Sequence, residues 1–191
     1  MARVKFQKAA KDYPAQGIKK GDKYYYARVK TGPRSSKEIR SLKPIPRSQL
    51  TTSAFLQQFY NLEDQFQTLR STPLAELEGA LDSLASEVRD LAEEEQSKFD
   101  NMESEAPGLA QGPTGELIQE RAQAMEEWAD SLESVSQEVQ EKLDEFTANQ
   151  ALWDEWEASE DEDKEEPEED QLVECDVVAD LLDEVAEPSV G

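Results

Sequence analysis

Seven residues between positions 24 and 40 hold the most recognisable chemistry in this chain: Tyr24, Tyr26, Arg28, Lys30, Arg34, Lys37 and Arg40. Fixed cations neutralise phosphates, and aromatic faces stack on unpaired bases, so the set is a candidate surface for DNA or RNA. Tyr24, Tyr26, Arg28 and Lys30 recur at every second residue, which places four of the seven on one face of a strand. Two other readings stay open for the same residues. They could be ordinary strand formers and solvated charges, or a cationic surface docked on acidic protein, the chain's own body included.

Other site chemistries are removed by composition. There is no histidine and one cysteine, Cys175. Ser-His-Asp and Cys-His nucleophilic catalysis are excluded, as are zinc sites built on Cys and His and any disulfide within the chain. Cys175 lies among acids with no nearby base to stabilise a thiolate, so a reactive thiol is not expected. Carboxylates alone can perform acid–base work, but they need a pocket, and little in the sequence points to one. The expectation is a non-enzymatic binding protein with no cofactor and no metal.

The charge that surrounds the seven residues is sorted by position. Residues 1–50 hold 14 of the 20 Lys+Arg and three acids, Asp12, Asp22 and Glu38, a formal +11. Residues 51–191 hold the other 6 bases and 41 acids, a formal −35. A cationic head joined to an anionic body implies two surfaces with different partners. No stretch approaches the roughly 18 apolar residues of a membrane span, and the first residues have no apolar core of a secretory signal. The expectation is a cytosolic protein with no membrane partner.

The head must position its cations on a small sheet. Lys23 to Lys30 is the best strand, with Tyr25, Ala27 and Val29 facing inward. Thr31-Gly-Pro-Arg34 reads as a turn, Ser35 to Leu42 as a returning strand, and Arg3 to Phe6 as a third with Val4 and Phe6 inward. Gly17 and Gly21 mark bends. Lys43-Pro-Ile-Pro-Arg47 is an extended exit. So small a sheet needs a cover, and the helix starting near Ser53 is the expected one.

Residues 51–158 read as helices. Thr51-Thr-Ser53 offers N-cap chemistry, and Phe55, Phe59, Leu62, Phe66 and Leu69 form one stripe. Thr72 can cap a second helix with Pro73 in its first position. Leu74, Leu77, Leu81, Leu84, Val88 and Leu91 then recur at spacings of 3 and 4, a heptad seam that weakens at Glu95 and Lys98 before Phe99 and Met102. Residues 103–115, with three glycines and two prolines, are expected to be a loop. From near Gly115, Ile118, Ala122, Met125, Ala129, Leu132, Val135, Val139, Leu143, Phe146 and Trp153 make another seam, with Trp128 beside it and a skip at Gln150. Two matched seams predict an antiparallel hairpin, able to pair with a second copy. The overhang of the longer helix, with Phe146, Trp153 and Trp156, is a candidate partner surface; a core stripe covered by the first helix is the other reading. The anionic outer faces are solubilising charge, or a mimic of DNA phosphates directed at a basic protein.

Residues 159–170 repel one another and have no apolar side chain to bury, which predicts disorder. Their carboxylates lack the glycine of an EF-hand loop. Residues 171–186 differ, because Val173, Val177, Leu181 and Val185 recur every four residues. This short amphipathic helix docks either in a partner's groove or back on the hairpin. The fold class is therefore α+β. A small N-terminal antiparallel β-sheet (1–50) precedes a long helical hairpin (51–158) and a disordered acidic C-terminal tail (159–191) with one short helix.

Two resemblances accompany this reading. Strand, turn, strand and helix over about 20–70, with Gly21-Asp-Lys-Tyr-Tyr-Tyr26 and Lys30-Thr-Gly-Pro-Arg34, resembles the arm-binding β-domains of tyrosine integrases; no integrase catalytic domain follows. Lys11-Asp-Tyr-Pro14, Gly17-Ile-Lys-Lys-Gly-Asp22, Ser48-Gln-Leu-Thr-Thr-Ser53, Lys98-Phe-Asp-Asn-Met102, Gly112-Pro-Thr-Gly-Glu-Leu117 and Glu120-Arg-Ala-Gln-Ala-Met-Glu-Glu-Trp128 resemble small proteins encoded by bacteriophages and prophages, over roughly 1–135. That group has no assigned activity. The resemblance implies a phage setting and the host cytoplasm, and it brings no catalytic residues.

Overall fold

Aromatic and β-branched side chains suit the pleated surface of a strand, and Lys23–Lys30 takes that conformation at the centre of the N-terminal sheet. The computed structural model describes residues 2–159, 167, 170–186 and 188. It divides into two compact units, Met1–Glu63 and Asp64–Gly191, so the division falls inside a helix rather than at residue 50. In the first unit β1 (Lys5–Lys8), β2 (Lys23–Lys30) and β3 (Ser36–Ser41) form an antiparallel sheet in that order. The register sets Phe6 opposite Tyr25, Ala27 opposite Ile39, Arg28 opposite Glu38 and Val29 opposite Lys37. Gly17 and Gly21 make the expected bends with φ of 67° and 99°, a region that side chains rarely enter.

The sheet carries apolar cover on both faces. Tyr25, Ala27 and Ile39 pack with Ala2, Ile45 and Leu50. This cover begins before any helix, in the proline-flanked exit and the 3-10 turn at Arg47–Leu50. On the other face Ala9 and Ile18, from the connection between β1 and β2, close over Tyr24, with Tyr13 and Tyr26 alongside. Phe6 stands opposite Tyr25 and shares its inward face as expected, yet neither it nor Val4 is buried. All four residues of β1 are exposed, and Phe6 is 59% exposed although its ring lies 4.8 Å from that of Tyr25. β1 is an edge strand and contributes no buried residue.

Helix α1 (Ala54–Leu69) starts where the hydroxyl residues predict: the Leu56 N–H donates to Ser53 Oγ at 3.4 Å. Its stripe of Phe55, Phe59, Leu62, Phe66 and Leu69 is buried.

In the second unit α2 (Leu74–Glu105) and α4 (Pro113–Glu157) pack along their length, joined through a single helical turn, α3 (Pro107–Ala110). They run antiparallel. Arg89 meets Asp130, while seven residues earlier Asp82 meets Ser136. Leu74, Leu77, Leu81, Leu84, Val88 and Leu91 are buried facing Ala122, Met125, Ala129, Leu132, Val135 and Val139. Each buried leucine contributes about 1.5–3 kcal/mol, so the seams drive the pairing. Trp128 meets the Phe66 ring edge-on, 6.1 Å between centroids. Glu95, on the seam line, stays 2% exposed with its carboxylate 2.5 Å from Lys98 Nζ.

Two boundaries correct the sequence expectations. The 13 residues expected to be one loop are mostly helical, because Pro107 and Pro113 each open a helix instead of breaking one. Gly115 allows α4 to pass the Ala110 carbonyl, where a Cβ would overlap that oxygen. At the other end, Pro73 has ψ of 142° and is the cap residue, not the first helical one. Thr72 does not cap α2. Instead the Leu74 N–H donates to Glu174 Oε1 at 2.8 Å, a partner 100 residues later.

Glu174 opens α5 (Glu174–Asp183), which packs on α2 and α4 with Val178, Leu181, Leu182 and Val185 buried. The skip at Gln150 acquires a reason here. Asn149 accepts from the Leu172 N–H at 2.9 Å and donates to the Asp170 carbonyl at 3.0 Å, while Gln150 donates to the Leu172 carbonyl at 2.7 Å. The two polar positions grip the chain that leads into α5. The disorder expected of the acidic run falls largely on residues outside the described ones.

Candidate nucleic-acid interface

β2 presents its odd and even side chains to opposite faces, and the register decides which of the seven candidate residues share one. Tyr24, Tyr26, Arg28 and Lys30 lie on the face of Gln7, Glu38 and Arg40. Lys37, opposite Val29, lies on the other face. Arg34 sits in the turn between β2 and β3. The seven are therefore not one patch.

Tyr24 is not a stacking platform. It is 3% exposed beneath Ala9 and Ile18, and its hydroxyl accepts from Gln7 Nε2 at 2.6 Å. Tyr26 is half-buried and donates to Glu38 at 3.1 Å. Burial, and then this hydrogen bond, hold its hydroxyl above the usual phenol range. The Arg40 guanidinium lies 4.6 Å from the centre of the Tyr13 ring and 5.4 Å from that of Tyr26, and it donates to Glu38 at 2.5 Å. Glu38 also stands 3.7 Å from Arg28. The Glu38 carboxyl is held below the usual carboxylate range by the hydrogen bond from Arg40 and then by that from Tyr26. Arg40 and Tyr26 thus belong to a stacked and ion-paired cluster that braces the sheet.

The acids of the head are engaged locally. Asp12 accepts from the Lys20 N–H at 2.5 Å and Asp22 from the Lys19 N–H at 2.8 Å, both shaping the connection between β1 and β2. Glu63, the fourth acid of the unit, accepts from Arg47 at 2.5 Å. Of the 14 Lys and Arg in residues 1–50, all but Arg40 are exposed. Arg28, Lys30, Arg34 and Lys37 are among them.

Two grooves meet where β2 ends. One, about 370 Å³, is lined by Ala2, Arg28, Lys30 and Leu50, and the other, about 440 Å³, by Thr31, Lys37, Ser48, Gln49, Gln57 and Asn61. Val29, Thr51 and Thr52 line both. No acid lines either. Charge reading found the cations of these grooves and missed their neutral half, because serine, threonine and amide side chains between two elements carry no local signal.

Compared with known proteins, the chain matches no family model, no curated protein and no solved structure.

The candidate partner surfaces of the second unit fare differently. Phe146, Trp153 and Trp156 are half-buried on α4, the two indoles edge-to-face at 5.6 Å, with Leu152 exposed beside them. The stripe of α5 is turned inward. Leu181 and Val185 are buried on the chain's own hairpin, Val177 is half-buried and Val173 is exposed. Of the two readings of this helix, the structure takes the fold-back, and Leu181 and Val185 are core. Among the described residues no cluster of Asp, Glu or Cys is placed to hold a metal ion, and no helix is long and apolar enough to cross a membrane.

Proposed function

We propose that this chain is a non-enzymatic adaptor whose N-terminal unit binds DNA or RNA through exposed lysines and arginines, while its helical unit holds a protein partner or a second copy. One observation carries it: a unit with 14 bases and 4 acids exposes 13 of the bases, and its acids bond within the unit. Arg28, Lys30, Arg34 and Lys37 contact phosphates. Arg40 acts by bracing β3, and neither Tyr24 nor Tyr26 stacks on bases. The proposed setting is the cytoplasm of an infected host, the one that the phage resemblance implies.

The test is fluorescence anisotropy of labelled 15-mer DNA and RNA with the full chain at increasing salt. Four neutralised phosphates on a single strand give a slope near −2.8 in log K against log salt, roughly a fiftyfold loss from 50 to 200 mM. An absence of salt-dependent binding refutes the proposal.

A second reading rests on the anionic unit. A groove along α2 and α4 is lined by Glu78, Asp82, Asp90, Glu93 and Glu133 around Arg89, a surface suited to a basic protein. In that case a pulldown retains its partner after nuclease treatment, and the chain ignores nucleic acid.

A further inference from the structure

Successive residues of an antiparallel strand turn their N–H and C=O groups to alternate neighbours, and in this sheet the alternation can be followed from end to end. Ala9 turns both groups toward β2: its N–H donates to the Asp22 carbonyl at 2.8 Å, and its carbonyl accepts from the Gly21 N–H at 2.9 Å. Beyond the other end of β2 the Thr31 N–H donates to the Ser35 carbonyl at 3.0 Å. Odd-numbered residues of β2 therefore bond to β3, and Tyr24 and Tyr26 bond to Gln7 and Lys5. Phe6 and Lys8 are left with their N–H and C=O groups aimed along the free edge of the sheet. The Phe6 side chain is exposed midway along that edge, and Val4 is exposed two residues before it, on the same face as Tyr25. β3, the other edge strand, has no such anchor, because Ile39, its one apolar residue, packs inward. Arg3, Lys5, Lys8 and Lys23 are exposed around the β1 edge, while the ion pairs described for this unit lie at Glu38 and Glu63.

We propose that β1 docks an extended acidic segment of a partner protein, which adds to the sheet as a fourth strand. Two features select that occupant. Donors and acceptors alternate along the edge, the complement of another strand, whereas a phosphate backbone supplies no donor for the Phe6 and Lys8 carbonyls. Lysines on an edge turn away a strand of like charge, and a second copy would bring Lys5 and Lys8 against the same residues. An acidic strand meets the opposite sign. Its pattern follows from the pleat: apolar side chains beside Phe6 on the Tyr25 face, carboxylates beside Lys5 on the other. The inference is independent of the nucleic-acid reading and gives the N-terminal unit a protein partner of its own.

The probe is a short fluorescein-labelled peptide of alternating glutamate and valine, titrated by anisotropy against the full chain. Saturable binding is expected. A peptide of the same composition, with its glutamates and valines in separate blocks, binds at least about tenfold more weakly, because it cannot present one face of each kind. Phe6→Pro removes an N–H that bonds nothing within the sheet, so the melting temperature holds while binding falls about tenfold, the share of one backbone hydrogen bond. Phe6→Ala keeps the N–H and costs about threefold to fivefold through the lost cross-strand pair. If Phe6→Pro unfolds the unit, Phe6→Ala and the two peptides still decide. Equal binding of the two peptides, binding unchanged by the substitutions, or no binding overturns the proposal. An affinity for dT15 that Phe6→Pro lowers by the same factor makes the edge a nucleic-acid surface, and a dimer in sedimentation that Phe6→Pro dissociates makes it a contact between copies; either result also overturns it.

Discussion

Leu181→Ala is expected to release α5 from the hairpin without unfolding it. Leu181 is 2% exposed in a patch with Val178, Leu182 and Val185. Truncating a buried leucine removes its transfer energy and leaves a cavity, a loss of about 2–5 kcal/mol. α5 is a 10-residue helix joined to the rest through residues 159–173, so the loss falls on its docking equilibrium and not on the long seams of α2 and α4. At the lower limit of about 2 kcal/mol the open population rises roughly 30-fold. Hydrogen exchange followed by mass spectrometry reads this directly. Amides of Glu174–Asp183 should exchange faster by that factor, while those around Leu81 and Leu132 stay within about twofold. Unchanged exchange in α5 would refute the idea that Leu181 anchors it. An equal acceleration in α2 and α4 would refute the idea that α5 opens on its own.

Three further outcomes follow from the same geometry. Glu174→Ala removes the acceptor of the Leu74 N–H, and losing such a cap costs about 1 kcal/mol, visible as faster exchange both in α5 and in the first turn of α2. Gly115→Ala forces a methyl into the Ala110 carbonyl, an overpacking of about 3 kcal/mol or more that lowers the midpoint of thermal unfolding followed by circular dichroism. The pH dependence of the N-terminal unit has a defined sign. Because the folded Glu38 carboxyl sits below its unfolded value, its contribution is present above the unfolded value and fades as pH falls through the folded one. Acid unfolding should therefore show a component that Glu38→Gln removes, and carboxyl NMR titration should give Glu38 a midpoint below 4.5.

Much of the fold was legible because its signals are local. Period-2 alternation located β2 to the residue, and the spacing of 3 and 4 identified six of the seven buried positions of α2 from Leu74 to Leu91, missing only Ala85. What failed was long-range. Alternation placed Tyr24 on an outer face, correctly as geometry, but no periodicity announces that Ala9 and Ile18 will return to cover it. Pro and Gly at 107–115 read as breakers, yet the same residues suit helix starts and close passages, and only packing decides between those uses. α5 was equally suited to its own hairpin or to another protein's groove. Asn149 and Gln150, visible only as a gap in the seam, turned out to hold the chain that leads back. The candidate site divides the same way: its cations stood out in the sequence, whereas the neutral lining of Thr51, Thr52, Gln57 and Asn61 became visible only with the groove.

The bond from Leu74 to Glu174 also has a bearing on biogenesis. A nascent chain leaving the ribosome exposes the opening turn of the hairpin long before the glutamate that completes it exists. Until the codon for Glu174 is read, the Leu74 N–H lacks that acceptor. A product truncated before Glu174 keeps the hairpin's paired seams yet carries an unfinished end.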